Sequence, residues 1–354
     1  MEVGIIPASS DFSHPADRRR PIYFFHKSGI DFEIAQFAKY YEYVYVTIVA
    51  DLSLWSAYKK QWDLSMAKPY VIFDFCDDLL AASFVQDHLR ASYYYISGKN
   101  KRFKLSYKRT ILEMISCADV VVCGSAEQKL KLDRIHPNVV IVRDFFGADI
   151  HNKKLDYALR VENEMNIFWE GLSHGNIEIF RQLREIVDSI NGYQVHLHIA
   201  TDPVYCKIGG RLLCKSTFEV LRDVFKGSAA KFHLYDWSSA TFSAIATSCD
   251  FAVIPVPHNS IMRMKPENKL LLLWQLGLPV VASDTQSYSR AMEKAELDYV
   301  AATPLDWREM ILRLTNSVEN RREYMNRAQS YLESFCSEEV ILSSWREIFK
   351  RNSS

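Results

Sequence analysis

Three polar side chains, Lys265, Asn268 and Lys269, lie close together at the start of an apolar segment. Two ammonium groups and one amide can neutralise and hydrogen-bond a diphosphate without a divalent ion. The apolar segment is typical of a helix that opens near Pro266 and ends at Gly277. Because free N–H groups at the start of a helix attract anions, this spacing predicts a clamp for a phosphorylated ligand.

The strands that must hold this clamp are short, β-branched or aromatic segments that alternate with longer amphipathic ones, which is typical of parallel α/β sheets. In the first half of the chain we predict strands at residues 3–6, 43–49, 70–75, 120–123 and 139–142. In the second half we predict them at residues 166–169, 195–200, 231–234, 251–255 and 279–283. The clamp then follows a strand, at the carboxyl edge where ligands of open α/β sheets bind.

The chain length of 354 residues exceeds what one hydrophobic core normally serves, so two domains are expected. A polar stretch without strand character follows Asp149 and suits a linker. We predict an N-terminal domain at residues 1–158 and a C-terminal domain at 159–336. The last residues, 337–354, form an amphipathic helix that we expect to pack back on the N-terminal domain.

The overall charge is balanced, with 43 acidic and 43 basic residues, so we expect no nucleic-acid partner. The seven cysteines contain no C-x-x-C pair, and we interpret them as reduced, small core residues. No apolar run reaches the length of a membrane span, and the N-terminal residues lack the pattern of a secretory signal. We therefore expect a cytoplasmic protein.

The clamp motif K-P-x-N-K, followed by an apolar helix and G-L-P-V-V, resembles the donor-binding segment of GT-B glycosyltransferases of the bacterial surface-polysaccharide type. FWEGLSHGNIEIF is similar to the opening strand, glycine loop and helix of a C-terminal domain like that of glycosyltransferase families 4 and 1. SEEVILSSWREIF resembles their closing helix. The resemblance implies two Rossmann-like α/β domains facing each other across a cleft. It also implies sugar transfer from a nucleotide-sugar donor to a saccharide or lipid-linked acceptor, with no cofactor and no metal.

This resemblance also implies roles for individual residues on the donor side. Gly171, Lys265, Asn268 and Lys269 would bind the donor diphosphate, and Lys269 would also be catalytic, because negative charge grows on the leaving phosphate. The nucleotide or the sugar would contact four further residues: Asp236, Trp237, His258 and Glu267. A packed indole with a helix cap remains an equal interpretation of the Asp236 and Trp237 turn.

One departure from the family concerns the retaining branch that resembles glycogen synthase. That branch carries two glutamates in this segment, and Met264 and Leu272 stand at the matching positions. Neither side chain can bind a ribose hydroxyl or face the sugar as a carboxylate. Whether the sugar's configuration is retained or inverted therefore stays open.

The acceptor side of the site is predicted from charged residues that follow strands of the first domain. Asp17, Arg18 and Arg19, together with Arg20, lie after the first strand and could bind an anionic acceptor or a donor phosphate. A solvated basic loop is the alternative. Asp77 is our candidate general base for an inverting reaction, although a helix-capping or surface role is common for such carboxylates.

Two further patterns raise the questions of metal and membrane binding. His196 and His198 alternate on a predicted strand without a matching carboxylate or cysteine, so we predict a structural role and no metal site. The stretch at residues 93–109 combines aromatic residues with six basic ones. It suits a peripheral contact with anionic lipid at the inner face of the plasma membrane, and a solvated helix face is the alternative.

Two other functions remain open on the same fold. A nucleotide-sugar epimerase could use the same diphosphate clamp and would turn over donor without acceptor. A non-catalytic GT-B-like module is supported only by the missing glutamates. A dehydrogenase is disfavoured, because no G-x-G-x-x-G motif occurs in the sequence.

Overall fold

The computed structural model describes residues 2–36, 39–54, 68–159, 161–174, 176–208, 212–257 and 260–350. It divides into two compact units: unit 1 contains Met1–Phe145, Met264–Pro266 and Ser337–Ser354, and unit 2 contains Phe146–Arg263 and Glu267–Cys336. Each unit contains one six-stranded sheet, which confirms the predicted α/β class. The domain ranges given above stay predictions.

The sheet of unit 1 is parallel throughout and has the order β2-β1-β3-β4-β5-β6. Its strands are β1 (Val3–Ile6), β2 (Phe32–Ile34), β3 (Tyr43–Thr47), β4 (Tyr70–Phe75), β5 (Val120–Cys123) and β6 (Val139–Ile141). Its helices are α1 (Pro15–Arg18), α2 (Pro21–Ser28), α3 (Phe84–Ile96), α4 (Tyr107–Ile115), α5 (Ala126–Leu132) and α14 (Glu338–Lys350). The central strands are buried along their whole length, as expected for a parallel sheet that is covered on both faces.

The last helix of the chain, α14, packs into the core of unit 1. Trp345 is fully buried there, and the ring of Phe349 lies 5.0 Å from the ring of Tyr43. The Tyr43 hydroxyl also donates a hydrogen bond of 2.7 Å to the carbonyl of Phe349. The apolar face of this helix is therefore an integral part of the N-terminal sheet's core.

The sheet of unit 2 is also parallel and has the order β11-β8-β7-β12-β13-β14. Its strands are β7 (Glu164–Glu170), β8 (Gln194–Thr201), β11 (Lys231–Asp236), β12 (Phe251–Ile254), β13 (Val280–Ser283) and β14 (Val300–Ala301). Its helices are α6 (Ile177–Asp188), α7 (Thr217–Val224), α8 (Ser239–Ser248), α9 (Ser260–Arg263), α10 (Asn268–Gln275), α11 (Gln286–Lys294), α12 (Pro304–Thr315) and α13 (Val318–Phe335). None of the helices in the described ranges combines the length and apolar character needed to span a bilayer.

A separate antiparallel hairpin follows β8 in unit 2. It is formed by β9 (Val204–Ile208) and β10 (Leu212–Ser216), and a disulfide joins Cys206 to Cys214 across the two strands. The expectation that every cysteine is a reduced core thiol is therefore wrong for this pair. Sequence spacing could not reveal the bond, because it depends on the register that places the two cysteines opposite each other.

Reduction of this disulfide is expected to lower the free energy of unfolding of unit 2 by about 2 kcal/mol. The bond closes a short loop and so restricts the unfolded chain more than the folded one. Urea unfolding with and without a reducing agent measures the difference. The double variant Cys206→Ser with Cys214→Ser should have the same free energy of unfolding as the reduced protein, and the reducing agent should not change it. Equal stability of the oxidised and reduced proteins would contradict this prediction.

Candidate functional site

Helix α10 carries the predicted phosphate clamp at its start. It begins at Asn268, so Pro266 lies before the helix and not in its first turn as predicted. Its end agrees with the prediction, because Gly277 has a left-handed φ of 79°. The next N–H group, of Leu278, donates to the carbonyl of Leu273 over 3.0 Å and closes the turn.

The ammonium group of Lys269 lies at the carboxyl end of β7. Its Nζ donates a hydrogen bond of 2.7 Å to the carbonyl of Glu170 and lies 3.6 Å from the carboxylate of the same residue. It also lies 5.4 Å from the centre of the Trp169 ring. A Cβ atom on Gly171 would stand 2.7 Å from this Nζ and 2.9 Å from the Trp169 ring. The structure thus brings Gly171 and Lys269 together, in a place where any side chain at position 171 would force the Lys269 ammonium and the Trp169 ring to move.

The loop that contains Gly171 is fixed to the neighbouring strand. The N–H of Gly171 donates to the carbonyl of Ala200 over 3.2 Å. The N–H of Ser173 donates to the carboxylate of Asp202 over 3.2 Å, and its hydroxyl donates to the carbonyl of Val204 over 2.9 Å. These bonds hold the loop in one conformation before a ligand binds. The entropic cost of ordering the loop on binding is therefore small.

The other two residues of the clamp are divided between the units. Asn268 belongs to unit 2 with Lys269, whereas Lys265 belongs to unit 1. There the Lys265 Nζ lies 4.0 Å from a carboxylate oxygen of Asp77, and both side chains are half exposed. Asp77 follows β4, as predicted for a residue at the carboxyl edge of the first sheet.

The carboxylate of Glu267 differs from what we predicted for a nucleotide-binding or sugar-binding group. It is fully buried, and its Oε1 accepts a hydrogen bond of 2.7 Å from the guanidinium of Arg290 on α11. A ligand would have to displace Arg290 to reach that oxygen. We therefore assign Glu267 an anchoring role, in which the ion pair fixes the residue that precedes α10.

Asp236 and Trp237 lie where β11 ends, at the same edge of the sheet as Gly171. Asp236 is exposed, whereas Trp237 is half-buried, and its backbone N–H donates to the carbonyl of Thr201 over 3.1 Å. The Trp237 ring packs against the core of unit 2. Their contact with a nucleotide stays a prediction. His258, the remaining candidate, lies outside the described residues.

Asp17 is buried in the loop that follows β1, contrary to the expectation of a ligand-binding carboxylate. It accepts hydrogen bonds of 3.0 Å from the N–H groups of Ala8 and Ser9. Burial raises the pKa of Asp17, although these two N–H groups act in the opposite direction. Its role is to order the loop. Arg18 and Arg19 are half-buried beside it, and anion binding by these two residues stays a prediction.

Arg20 is also turned inward, so its proposed anion binding is wrong. Its guanidinium makes a two-pronged ion pair with Asp74 at 2.5 and 2.8 Å and donates a single hydrogen bond of 2.8 Å to the carboxylate of Asp144. The Tyr45 hydroxyl hydrogen-bonds the same Asp74 carboxylate. Arg20 and Asp74 are essentially inaccessible to solvent. This network connects the loop after β1 with the middle of the sheet in unit 1.

A cluster of stacked imidazoles lies on one face of the second sheet. His198 and His233 stack with ring centres 4.8 Å apart, and His196 hydrogen-bonds His233 over 3.0 Å. His198 Nε2 donates to the side-chain Oδ1 of Asn166 over 3.1 Å, so its Nδ1 accepts from the Tyr235 hydroxyl at 3.0 Å when the ring is neutral. No group of three or more His, Cys, Asp or Glu side chains in the described part of the chain could hold a metal ion. Metal independence itself stays a prediction.

Acidification is expected to destabilise unit 2 through this cluster. Burial, followed by the neighbouring His233 and His196, lowers the pKa of His198 from 6.5 to about 4. The unfolded chain therefore binds more protons than the folded one in this pH range. The contribution of His198 to the free energy of unfolding is fully present above pH 6.5 and is lost as the pH falls toward about 4. The slope for one such group is at most about 1.4 kcal/mol per pH unit.

Urea unfolding of the wild type and of a His198→Gln variant at about pH 7.5 and about pH 5 measures this effect. Lys231 and Glu164 face the same cluster and stay unchanged in both proteins. The variant should lose less stability on acidification than the wild type. An identical loss in both proteins would assign the acid sensitivity to other groups.

Comparison with known proteins places this geometry in a known fold. No family model and no curated protein matches the sequence. Among solved structures, the chain is similar to TarM of S. aureus at 14% identity, with 86% of this chain and 54% of TarM covered and a TM-score of 0.57. Sucrose-phosphate synthase from Thermosynechococcus elongatus matches at 11% identity, with 88% of this chain and 73% of that chain covered and a TM-score of 0.58. WaaG, a glycosyltransferase involved in lipopolysaccharide biosynthesis, matches at 10% identity over 100% of both chains, with a TM-score of 0.56.

The chain has the GT-B fold. Its two parallel six-stranded sheets agree with the architecture expected from the sequence resemblance. The chain spans about half the length of TarM, with 54% of that protein covered. At identities of 14% or less, the likeness establishes the GT-B fold alone.

Proposed function

We propose that this chain is a glycosyltransferase that moves a sugar from a nucleotide-sugar donor to a saccharide or lipid-linked acceptor. The observation that carries the proposal is the position of the Lys269 ammonium beside Gly171, at the carboxyl edge of a GT-B sheet. We place the reaction in the cytoplasm, in the biosynthesis of a surface polysaccharide or glycoconjugate. WaaG and the other GT-B proteins of similar structure support this kind of reaction.

The donor diphosphate is proposed to lie against the Gly171 loop. The absence of a side chain at Gly171 lets the backbone approach phosphate oxygens closely. The N–H groups at the start of α10, the Asn268 side chain and Lys269 then supply donors and positive charge. We propose that these hydrogen-bond donors and the Lys269 charge hold the diphosphate without a divalent ion, so that the reaction is metal-independent and uses no cofactor.

Sugar transfer is proposed to depend on Lys269 more than donor binding does. As the glycosidic bond breaks, its electrons pass to the diphosphate, and the negative charge on the leaving oxygen grows. The Lys269 ammonium next to that oxygen therefore stabilises the transition state more than the ground state. The Lys269 ammonium must give up part of its contact with Glu170 in order to bind the phosphate. The Glu170 carboxylate and the phosphate therefore compete for the same positive charge.

The remaining roles concern the nucleotide and the acceptor. Asp236 and Trp237, at the end of β11, are proposed to contact the nucleotide. Asp77 is proposed as the base that takes the proton of the acceptor hydroxyl if the configuration inverts. Arg18 and Arg19 are proposed to bind an anionic part of the acceptor.

Nucleotide binding tests the donor site directly. TarM and pneumococcal GtfA, two proteins of similar structure, are known in complex with UDP, so UDP leads a panel that also contains GDP, CMP, dTDP and NAD. One nucleotide should raise the melting temperature, since saturation at about 100 times Kd stabilises the folded state by about 2.7 kcal/mol. NAD should have no effect, and Gly171→Ala should abolish the shift because its Cβ pushes against the Trp169 ring.

Two results would count against this assignment. If no nucleotide in the panel raised the melting temperature, the chain would lack the proposed donor site. If Gly171→Ala left the shift unchanged, the nucleotide would bind somewhere other than the Gly171 loop. Incubation with the matching nucleotide-sugar then separates transfer from epimerisation. A glycosyltransferase releases nucleotide in an acceptor-dependent way, whereas an epimerase converts the donor without releasing it.

A further inference from the structure

Helix α3 of unit 1 exposes an apolar stripe on the side opposite its buried residues. Asp87 and Ala91 face the core, whereas Val85, Leu89 and Ile96 are 63%, 65% and 82% exposed. Their spacing of four and seven residues places them on one side of the helix. Single exposed aliphatic residues are common on soluble proteins, but a row of three on one helix face indicates an interaction surface.

The loop between α3 and α4 extends this apolar stripe. Phe103 and Leu105 are 52% and 74% exposed. The ring of Phe103 lies 5.5 Å from the ring of Tyr95 on α3, in an edge-to-face arrangement, so the loop and the helix form one continuous surface. We call this surface, formed by Val85, Leu89, Tyr95, Ile96, Phe103 and Leu105, the α3 face.

The loop of the α3 face is held in place by two aspartates, of which Asp87 is buried and Asp51 is half-buried. Asp87 accepts hydrogen bonds from the Ser106 hydroxyl over 2.6 Å and from the Lys108 N–H over 2.8 Å. Asp51 accepts another from the N–H of Lys101 over 2.9 Å. Phe103 and Leu105 are therefore presented by an ordered loop whose backbone is fixed on both sides.

Positive charge is concentrated in the chain segment that carries most of the α3 face. Residues 88–112 contain no Asp or Glu and seven basic residues, which are Arg90, Lys99, Lys101, Arg102, Lys104, Lys108 and Arg109. The whole chain is electrically balanced, so this concentration is local. A surface that combines aliphatic and aromatic side chains with one sign of charge complements a ligand that is both apolar and anionic.

We propose that the α3 face binds the surface of an anionic lipid bilayer. The aliphatic and aromatic side chains enter the boundary between headgroups and acyl chains, and the basic residues remain among the anionic headgroups. A nucleic acid would satisfy the charges but would leave the aliphatic residues exposed to water. The inference depends only on the chemistry of this surface, so it stands or falls separately from sugar transfer.

Vesicle flotation of the full chain tests the proposal. Vesicles of phosphatidylglycerol mixed with phosphatidylcholine should carry the wild type, and vesicles of phosphatidylcholine alone should carry much less. High salt should weaken the binding, since it screens the attraction between the basic residues and the headgroups. The double variant Ile96→Ser with Leu105→Ser should reduce the partition coefficient by about tenfold or more.

Leu130→Ser is the matched control for this variant. Leu130 lies on α5 of the same unit and is 69% exposed, so its replacement removes a comparable apolar area per substituted residue outside the α3 face. Thermal melts check that all three proteins are folded. Equal binding of both vesicle types, an equal effect of Leu130→Ser, or binding to single-stranded RNA but not to vesicles would each overturn the proposal. The last result would assign the surface to nucleic acid.

Discussion

Replacement of Lys269 by alanine is expected to lower kcat for sugar transfer about 100-fold. Its ammonium lies beside Gly171 at the end of β7, where the leaving diphosphate is proposed to gain charge. Because that charge is greatest in the transition state, KM for the donor should change much less than kcat. Steady-state rates of nucleotide release over a range of donor concentrations separate the two constants.

The control for this experiment is Lys226→Ala, which removes an exposed lysine from the same unit. It should leave both constants close to those of the wild type. Lys269→Arg keeps the positive charge but places it on a longer side chain with a planar head group, so this variant should retain part of the wild-type kcat. A rise in donor KM with kcat unchanged in Lys269→Ala would show that the residue contributes only to ground-state binding.

Replacement of Arg20 by alanine is expected to destabilise unit 1 by about 3 to 5 kcal/mol. The substitution leaves the carboxylate of Asp74 buried without the guanidinium that neutralises it, and it also removes the hydrogen bonds to Asp144 and to the Val142 carbonyl. Urea unfolding followed by tryptophan fluorescence measures the loss, because Trp345 lies in the same core. A loss of this size could prevent folding at physiological temperature.

An exposed ion pair supplies the contrast. Lys27 and Glu338 lie 2.8 Å apart with side chains that are 51% and 43% exposed. Lys27→Ala should therefore change the free energy of unfolding by less than about 1 kcal/mol. A second variant, Arg20→Met with Asp74→Asn, removes both charges and should be more stable than Arg20→Ala. If Arg20→Ala cost no more than Lys27→Ala, the buried network would contribute little to the fold.

Most of the strands that could be predicted from sequence are buried central ones, although the edge strands β6 and β11 were predicted as well. All ten predicted strands occur, and the clearest of them are continuous apolar runs such as the one at 120–123, which is buried on both faces. The strands that were missed are short or lie at a sheet edge, as β2 and β14 do. The hairpin of β9 and β10 depends instead on cross-strand pairing, which a local pattern does not encode.

The candidate site was predictable where topology alone determines position. Strands β7 and β12 are neighbours in the sheet, with Ile167 paired to Phe251, so the loops that carry Gly171 and Lys269 must emerge at the same edge. Sequence reasoning missed Glu170 and Trp169, which contact the Lys269 ammonium. Their position in the sequence could have indicated this contact, because Trp169 and Glu170 are the last two residues of the strand that precedes Gly171.

Charged residues in loops were the main source of error. Asp17, Arg20 and Glu267 follow strands or precede a helix, and such positions are open to solvent in many proteins. Here each of the three side chains turns inward to a buried partner. Nothing in the local sequence distinguishes an inward from an outward charge, because the partner lies far away along the chain.

A crystal structure of this chain with its bound nucleoside diphosphate tests the central claim most directly. We expect the phosphates to lie against the backbone of Gly171, with an oxygen within hydrogen-bonding distance of the Lys269 Nζ and of N–H groups at the start of α10. A diphosphate bound elsewhere, with the Lys269 ammonium still on the Glu170 carbonyl, would contradict the proposed donor site and the sugar-transfer mechanism that depends on it.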